Sequence, residues 1–267
     1  MIIRLKMFFQ ASMVLLMFLS VQVQADTLDD IIERGTLRVG VSLFEPWTME
    51  DKSGELSGYE IDVTKKLAQD LSVKPEFIVY KWEDIIPALK KGEIDIIAGG
   101  MAITPARALK INFSNSYADS GIGLATNTKL TRNIKSLEEL NQKDIIISGV
   151  SGSISYELAT RLFKKANVKA FKTSKEAKEA VLSGEAHAYV ATSPQPKFLA
   201  LQYPQKIDIP MTKPLISYKA GFGINKGEQE WLNFLNAWIT ARTADKWLSA
   251  THKHWFGSLG WRKETPQ

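Results

Sequence analysis

The chain has 267 residues, 45% of them hydrophobic, and a formal charge of +5 at pH 7. Its basic excess is mild and its lysines are scattered, as at Lys164, Lys165, Lys172, Lys175 and Lys178; without an aromatic-interleaved basic stripe, nucleic acid is excluded as a partner. There is no cysteine, which removes disulfides, thiol nucleophiles and thiolate metal sites.

The N-terminus carries Arg4 and Lys6, then an apolar run over 13–19, then Val23-Gln24-Ala25. A basic start, a short apolar core and a small residue before the cut predict a cleavable signal peptide over 1–25 and a periplasmic protein. The run is shorter than the ~20 residues a membrane-spanning helix needs. Beyond it, residues 28–34 read as a short amphipathic helix capped by Gly35, and 37–41 as a strand. A loop through Phe44, Glu45, Pro46 and Trp47 follows, with a turn at 52–55. Residues 59–71 place apolar groups at helical spacing, 75–80 is a strand, 82–90 a helix ended by Gly92, and 94–98 a strand. Strand and helix alternate as in a parallel sheet covered by helices.

The rhythm then restarts, with strands at 144–148, 170–171 and 186–190 and helices at 155–166 and 174–182. Two such series predict two α/β lobes, 26–125 with 220–267 forming the first and 126–219 the second. The extended stretches 121–126 and 219–224 are the expected crossings between them. The tail over 228–256 reads as one helix, with Trp231 and Trp238 on its core-facing stripe.

The most informative stretch is Gly99-Gly100-Met101-Ala102-Ile103-Thr104-Pro105-Ala106-Arg107. It begins where a buried strand ends, and open α/β sheets place ligands beyond the carboxyl ends of their strands. Thr104 is suited to cap a helix that starts at Pro105. Free N–H groups at that helix start and the Arg107 guanidinium together suit a small carboxylate.

These motifs, with Gly35-Thr36-Leu37-Arg38-Val39-Gly40, GELSGYEID at 54–62, WEDIIPALKKGEID at 82–95 and Gly152-Ser153, resemble the periplasmic solute-binding proteins of polar amino-acid ABC transporters (family 3). The resemblance covers nearly all of the chain after residue 25. It implies the type II periplasmic-binding-protein fold, two α/β lobes joined by two hinge crossovers, with ligand in the cleft and an inner-membrane ABC permease as partner. By the same resemblance Arg107 binds the ligand carboxylate, the Gly100 backbone touches the ligand, and Trp82 packs on its side chain. Phe44 and Trp47 wall the pocket, and Ser153 completes carboxylate binding from the second lobe. Two positions depart from the pattern. Ala102 stands where a Ser or Thr is usual. Thr192 stands where an aspartate binds the ligand ammonium, and a neutral hydroxyl cannot supply that charge-assisted bond.

The function expected is binding of an amino acid or related small carboxylate by a monomer that closes its cleft, with no cofactor, no metal and no catalytic residue. A cyclohexadienyl dehydratase-like enzyme or a sensing module for a membrane receptor is the alternative on the same scaffold. The enzyme would need a general acid in the cleft. The second-lobe loop offers Ser151, Ser153 and Ser155 with Glu157 beyond, and no acid of its own. His187 reads as structural, and His252 and His254 have no carboxylate in register for a metal.

Overall fold

The structure is a computed structural model that describes residues 27–211 and 213–260; the expected signal peptide lies outside them. It is an α/β molecule whose nine-stranded sheet runs unbroken from one half to the other. Helix α1 (Thr27–Arg34) leads into β1 (Thr36–Val41), the buried centre of the first half. A two-stranded hairpin of β2 (Met49–Glu50) and β3 (Leu56–Ser57) precedes α2 (Tyr59–Asp70). Strand β4 (Lys74–Val79), α3 (Ile85–Lys90) and β5 (Ile96–Ile97) complete the unit, and β4 and β5 both pair with β1 in parallel.

After the single turn α4 (Pro105–Ala108) comes β6 (Asn112–Asn127), 16 residues long. The second half contains β7 (Ile146–Val150), α5 (Ile154–Leu162), β8 (Asn167–Phe171), α6 (Ser174–Ser183) and β9 (Ala188–Thr192). Its β7 pairs in parallel with β8 and β9. Helix α7 (Gln195–Gln202) and β10 (Ile207–Asp208) follow, then β11 (Ile216–Ile224). The tail forms α8 (Gln229–Ala244) and α9 (Trp247–Gly257).

Strands β6 and β11 make the crossing. They pair antiparallel from Ile216 opposite Ile122 to Ile224 opposite Asn112, with register shifts at Gly221. Near its start β6 lies beside the part of β11 that pairs with β5, and over Ile122–Thr126 it pairs with β9. Each half keeps its own apolar clusters. Leu37, Val39, Tyr59, Trp231 and Leu235 belong to the first, and Ile122, Ile147, Leu158 and Val190 to the second.

Three of the differences from the sequence expectation bear on the site and the core. The helix expected to open at Trp82 begins at Ile85, so Trp82 sits in the preceding turn. The single tail helix breaks at Lys246, which adopts a left-handed backbone with φ of 66°. The break returns α9 toward the core, where Phe256 meets Trp47 and Tyr59 edge-on. Helix α7 was not expected; Pro194 at its N-cap and Pro196 in its first turn, where no intrahelical N–H partner is lost, start it.

Asp95 anchors the edge of the first half. Its carboxylate accepts from the Arg34 guanidinium at 2.5 Å, from Arg38 Nη2 at 2.6 Å and from the Arg38 backbone N–H at 2.8 Å, and its side chain is 3% exposed. Both arginines are about one-third exposed, which screens the pairs. Replacing Asp95 by Ala leaves a β1 N–H and two guanidinium groups short of an acceptor. The expected loss is about 2 kcal/mol, or a melting temperature lower by roughly 4–8 °C, checked by calorimetric unfolding.

Candidate functional site

A cavity of about 530 Å³ opens between the two halves, beyond the carboxyl ends of β1, β5, β7 and β9. Phe44, Trp82, Gly100, Ala102, Arg107, Ser153 and Thr192 all line it, so seven of the eight residues expected at the site converge there. Trp47 does not. It is fully buried in the first-half core, packed edge-on against Tyr59 and Phe256 with ring centroids 5.6 and 4.7 Å away. The loop after β1 turns Phe44 outward and Trp47 inward, because Phe44 and Thr48 exchange backbone hydrogen bonds and close a tight turn between them.

Arg107 is the buried cation of the site. Thr104 caps α4 as expected, accepting from the Arg107 N–H at 3.3 Å. The helix is only one turn long, so the charge comes from the guanidinium and not from an extended helix dipole. Its Nη1 donates to Ala102 O at 3.2 Å and its Nη2 to Gly152 O, across the cleft, at 3.3 Å. Its guanidinium lies 5.5 Å from the centroid of the Trp82 ring. Burial lowers its pKa from the ordinary arginine value, and Glu157 and Tyr218 oppose that shift. A desolvated guanidinium with donors to spare is a strong partner for a carboxylate.

Gly152 O also accepts from Trp82 Nε1 at 3.2 Å, so one second-half carbonyl holds two first-half side chains. A third link crosses the cleft between Lys178 Nζ and Glu45 Oε2 at 3.4 Å. The cleft is therefore closed over the cavity. Ser153 caps α5, and its hydroxyl proton goes to Val150 O at 2.7 Å. That hydroxyl is committed to the helix start. What the loop presents to a carboxylate instead is the opening N–H groups of α5, at the cavity-lining Ile154 and Ser155.

Two features were not foreseen from the sequence. Tyr218 reaches in from β11 and donates to Thr192 Oγ1 at 3.1 Å, with Gly100 O 3.5 Å away. Behind Gly100 lies Glu60, fully buried, whose Oε1 accepts from the Gly100 N–H at 2.6 Å and from the Tyr117 hydroxyl at 2.7 Å. Its Oε2 has no partner among the described residues. Burial pushes the Glu60 carboxyl up to about 8, against the lowering effect of those two bonds. Gly100 itself needs a left-handed backbone with φ of 60°, and a Cβ there would stand 2.8 Å from the Trp47 ring. Only the position of Glu60 within GELSGYEID hinted at this support.

The chain matches the family model for bacterial extracellular solute-binding proteins, family 3, over residues 37–258. It belongs to that family. The L-cystine-binding protein TcyJ of Escherichia coli is 26% identical over 236 residues, 86% of each chain. The crystal structure of an ancestral amino acid-binding protein, a precursor of cyclohexadienyl dehydratase, superimposes with a TM-score of 0.79. It is 36% identical and covers 87% of this chain and all of its own. The cyclohexadienyl dehydratase of Pseudomonas aeruginosa is 20% identical, over 92% of this chain and 91% of its own. The fold is that of the type II periplasmic binding proteins. Relatives in this family are named as periplasmic binding proteins, and no helix among the described residues is long and apolar enough to cross a membrane.

The placement of Trp47 has a measurable consequence. Trp47→Ala empties a core position and is expected to cost about 3–5 kcal/mol of stability, read by denaturant unfolding. Glu60 predicts a pH effect. Its pKa is higher in the fold than in the unfolded chain, so its contribution is fully present below about pH 4.5 and lost as pH rises towards 8. The melting temperature is expected to fall across pH 5–8, and Glu60→Gln to flatten that slope.

Proposed function

We propose that this protein captures an amino acid or a related small carboxylate in the periplasm and delivers it to an ABC permease of the inner membrane. The observation that carries the reading is Arg107, buried at the base of a cleft whose two sides already share the Gly152 carbonyl. A carboxylate on that guanidinium would also face the α5 N–H groups, so the ligand touches both halves only when the cleft is closed. It therefore favours the closed state by its differential contacts.

The lobes are taken as 26–125 with 220–267 and as 126–219, with residues 1–25 a signal peptide removed on export and the mature chain a monomer. Arg107 holds the carboxylate, and Gly100, Ala102, Trp82, Phe44, Thr192 and Ser153 shape the space around it, Ser153 acting through the helix it caps. The binding reading is favoured over a dehydratase because the carboxylates that line the cavity are Glu45 and Glu50. Glu45 is held by Lys178, and Glu50 is exposed. Glu157, the carboxylate whose charge acts on Arg107, is exposed on α5 and does not line the cavity, so it is not placed as a general acid would need to be.

A thermal-shift screen of amino acids, betaines and small carboxylates tests this. A ligand at a hundredfold its dissociation constant is expected to stabilise by about 2.7 kcal/mol. Arg107→Ala is expected to remove that shift while the ligand-free melting curve stays cooperative. A shift retained in Arg107→Ala would place the carboxylate site elsewhere. Turnover of prephenate would overturn the binding reading in favour of the enzyme.

A further inference from the structure

We infer that the cavity takes a carboxylate with an apolar, aromatic-sized body and no ammonium group. The inference rests on the carboxylate reading proposed above and narrows its ligand class. Its ground is the distribution of charge along the cavity. The inner end holds one buried cation, Arg107, together with Gly100, Ala102, Thr192 and Tyr218. No carboxylate stands among these groups. An ammonium attached next to the bound carboxylate would meet only neutral oxygens, Gly100 O and Thr192 Oγ1, and both already face the Tyr218 hydroxyl. Taking an ammonium out of water without an anionic partner is costly.

The carboxylates nearby do not fill that role: Glu157, whose charge acts on Arg107, is exposed on α5 and does not line the cavity. Glu45 is held across the cleft by Lys178, and Glu50 is exposed on β2. Glu60 lies behind the Gly100 backbone and does not line the cavity; its Oε1 is turned onto the Gly100 N–H and the Tyr117 hydroxyl. Burial also holds it in the neutral form at neutral pH.

The rest of the cavity sets the body of the ligand. Phe44, Met49, Trp82, Val150, Ile154 and Val190 give it an apolar and aromatic wall. Its volume of about 530 Å³ falls within the range of ligand pockets and leaves room for a ring beyond the carboxylate. Lys81, Lys172 and Lys175 stand exposed at the mouth, and none pairs with a carboxylate among the described residues. Cations so placed attract an anion from solution and contribute little once it is bound.

The experiment compares two probes that differ only by the ammonium, 3-phenylpropanoate and L-phenylalanine, by titration calorimetry, with L-glutamine, L-arginine and L-glutamate alongside. Binding of 3-phenylpropanoate at least tenfold tighter than L-phenylalanine, abolished by Arg107→Ala, is the expected result. Thr192→Asp supplies the missing anion and is expected to narrow that ratio at least tenfold. Tighter binding of any of the four amino acids than of 3-phenylpropanoate overturns the inference and leaves the carboxylate-capture reading standing. An unchanged ratio in a folded Thr192→Asp protein overturns it as well. If none of the five probes binds, both readings fall.

Discussion

The antiparallel ladder between β6 and β11 is the constraint on which the rest depends. Each strand pairs within the first half at one end and lies against the second half at the other, so one sheet serves two cores. The cavity exists because these strands are continuous while the helices on either side are not. Gly221 marks the register shift in β11, where an added Cβ would stand 3.0 Å from Ile103 Cδ1 and from Ser114 O. A side chain there would push the strands apart at the place where they must bend together. Tyr218, three residues earlier on the same strand, thereby reaches Thr192 at the end of β9 and the Gly100 carbonyl at the far side of the cleft.

The floor of the cavity is set from behind. Gly100 is pinned by its N–H to Glu60, and the space a side chain would need is filled by Trp47. Trp47 in turn is held by Tyr59 and by Phe256 from the last helix. The cavity-lining backbone therefore rests on core packing gathered from the loop after β1, from α2 and from α9. A neutral Glu60 suits this arrangement, because an ionised carboxylate with one orphaned oxygen in the core would be costly.

The alternation of strands and helices and the Thr104-capped turn that carries Arg107 were legible in the sequence because both are local. A strand end, a capping hydroxyl and a proline at the first helical position lie within a few residues of one another. The restarted strand–helix series pointed to two lobes, and the resemblance in GELSGYEID and WEDIIPALKKGEID added the cleft and the hinge crossovers between them. What was not legible is set by distant packing. Phe44 and Trp47 share one loop, and only the arrival of Phe256 from the far end of the chain decides that Trp47 is the buried one. Tyr218 reads as one residue of an extended strand, and nothing near it in sequence announces that it faces Thr192. The tail was read as one helix because its apolar stripe continues past the break, and the left-handed residue there is Lys246, not a glycine.

The contacts that cross the cleft explain how a closed form and ligand capture can coexist. Two hydrogen bonds to Gly152 O are each worth about 0.5–1.5 kcal/mol net, or somewhat more where the charged guanidinium donates. The Glu45–Lys178 pair, at 3.4 Å and largely shielded, adds an amount near the low end of that range. Their sum, about 2.5–5 kcal/mol, stays below the about 5.5 kcal/mol of differential affinity that carries a two-state equilibrium from almost wholly open to almost wholly closed. These contacts bring the two halves into register without deciding the state. In the proposed reading the decision falls to a carboxylate on Arg107, because a buried guanidinium gains most from an anion that the open cleft would leave to water.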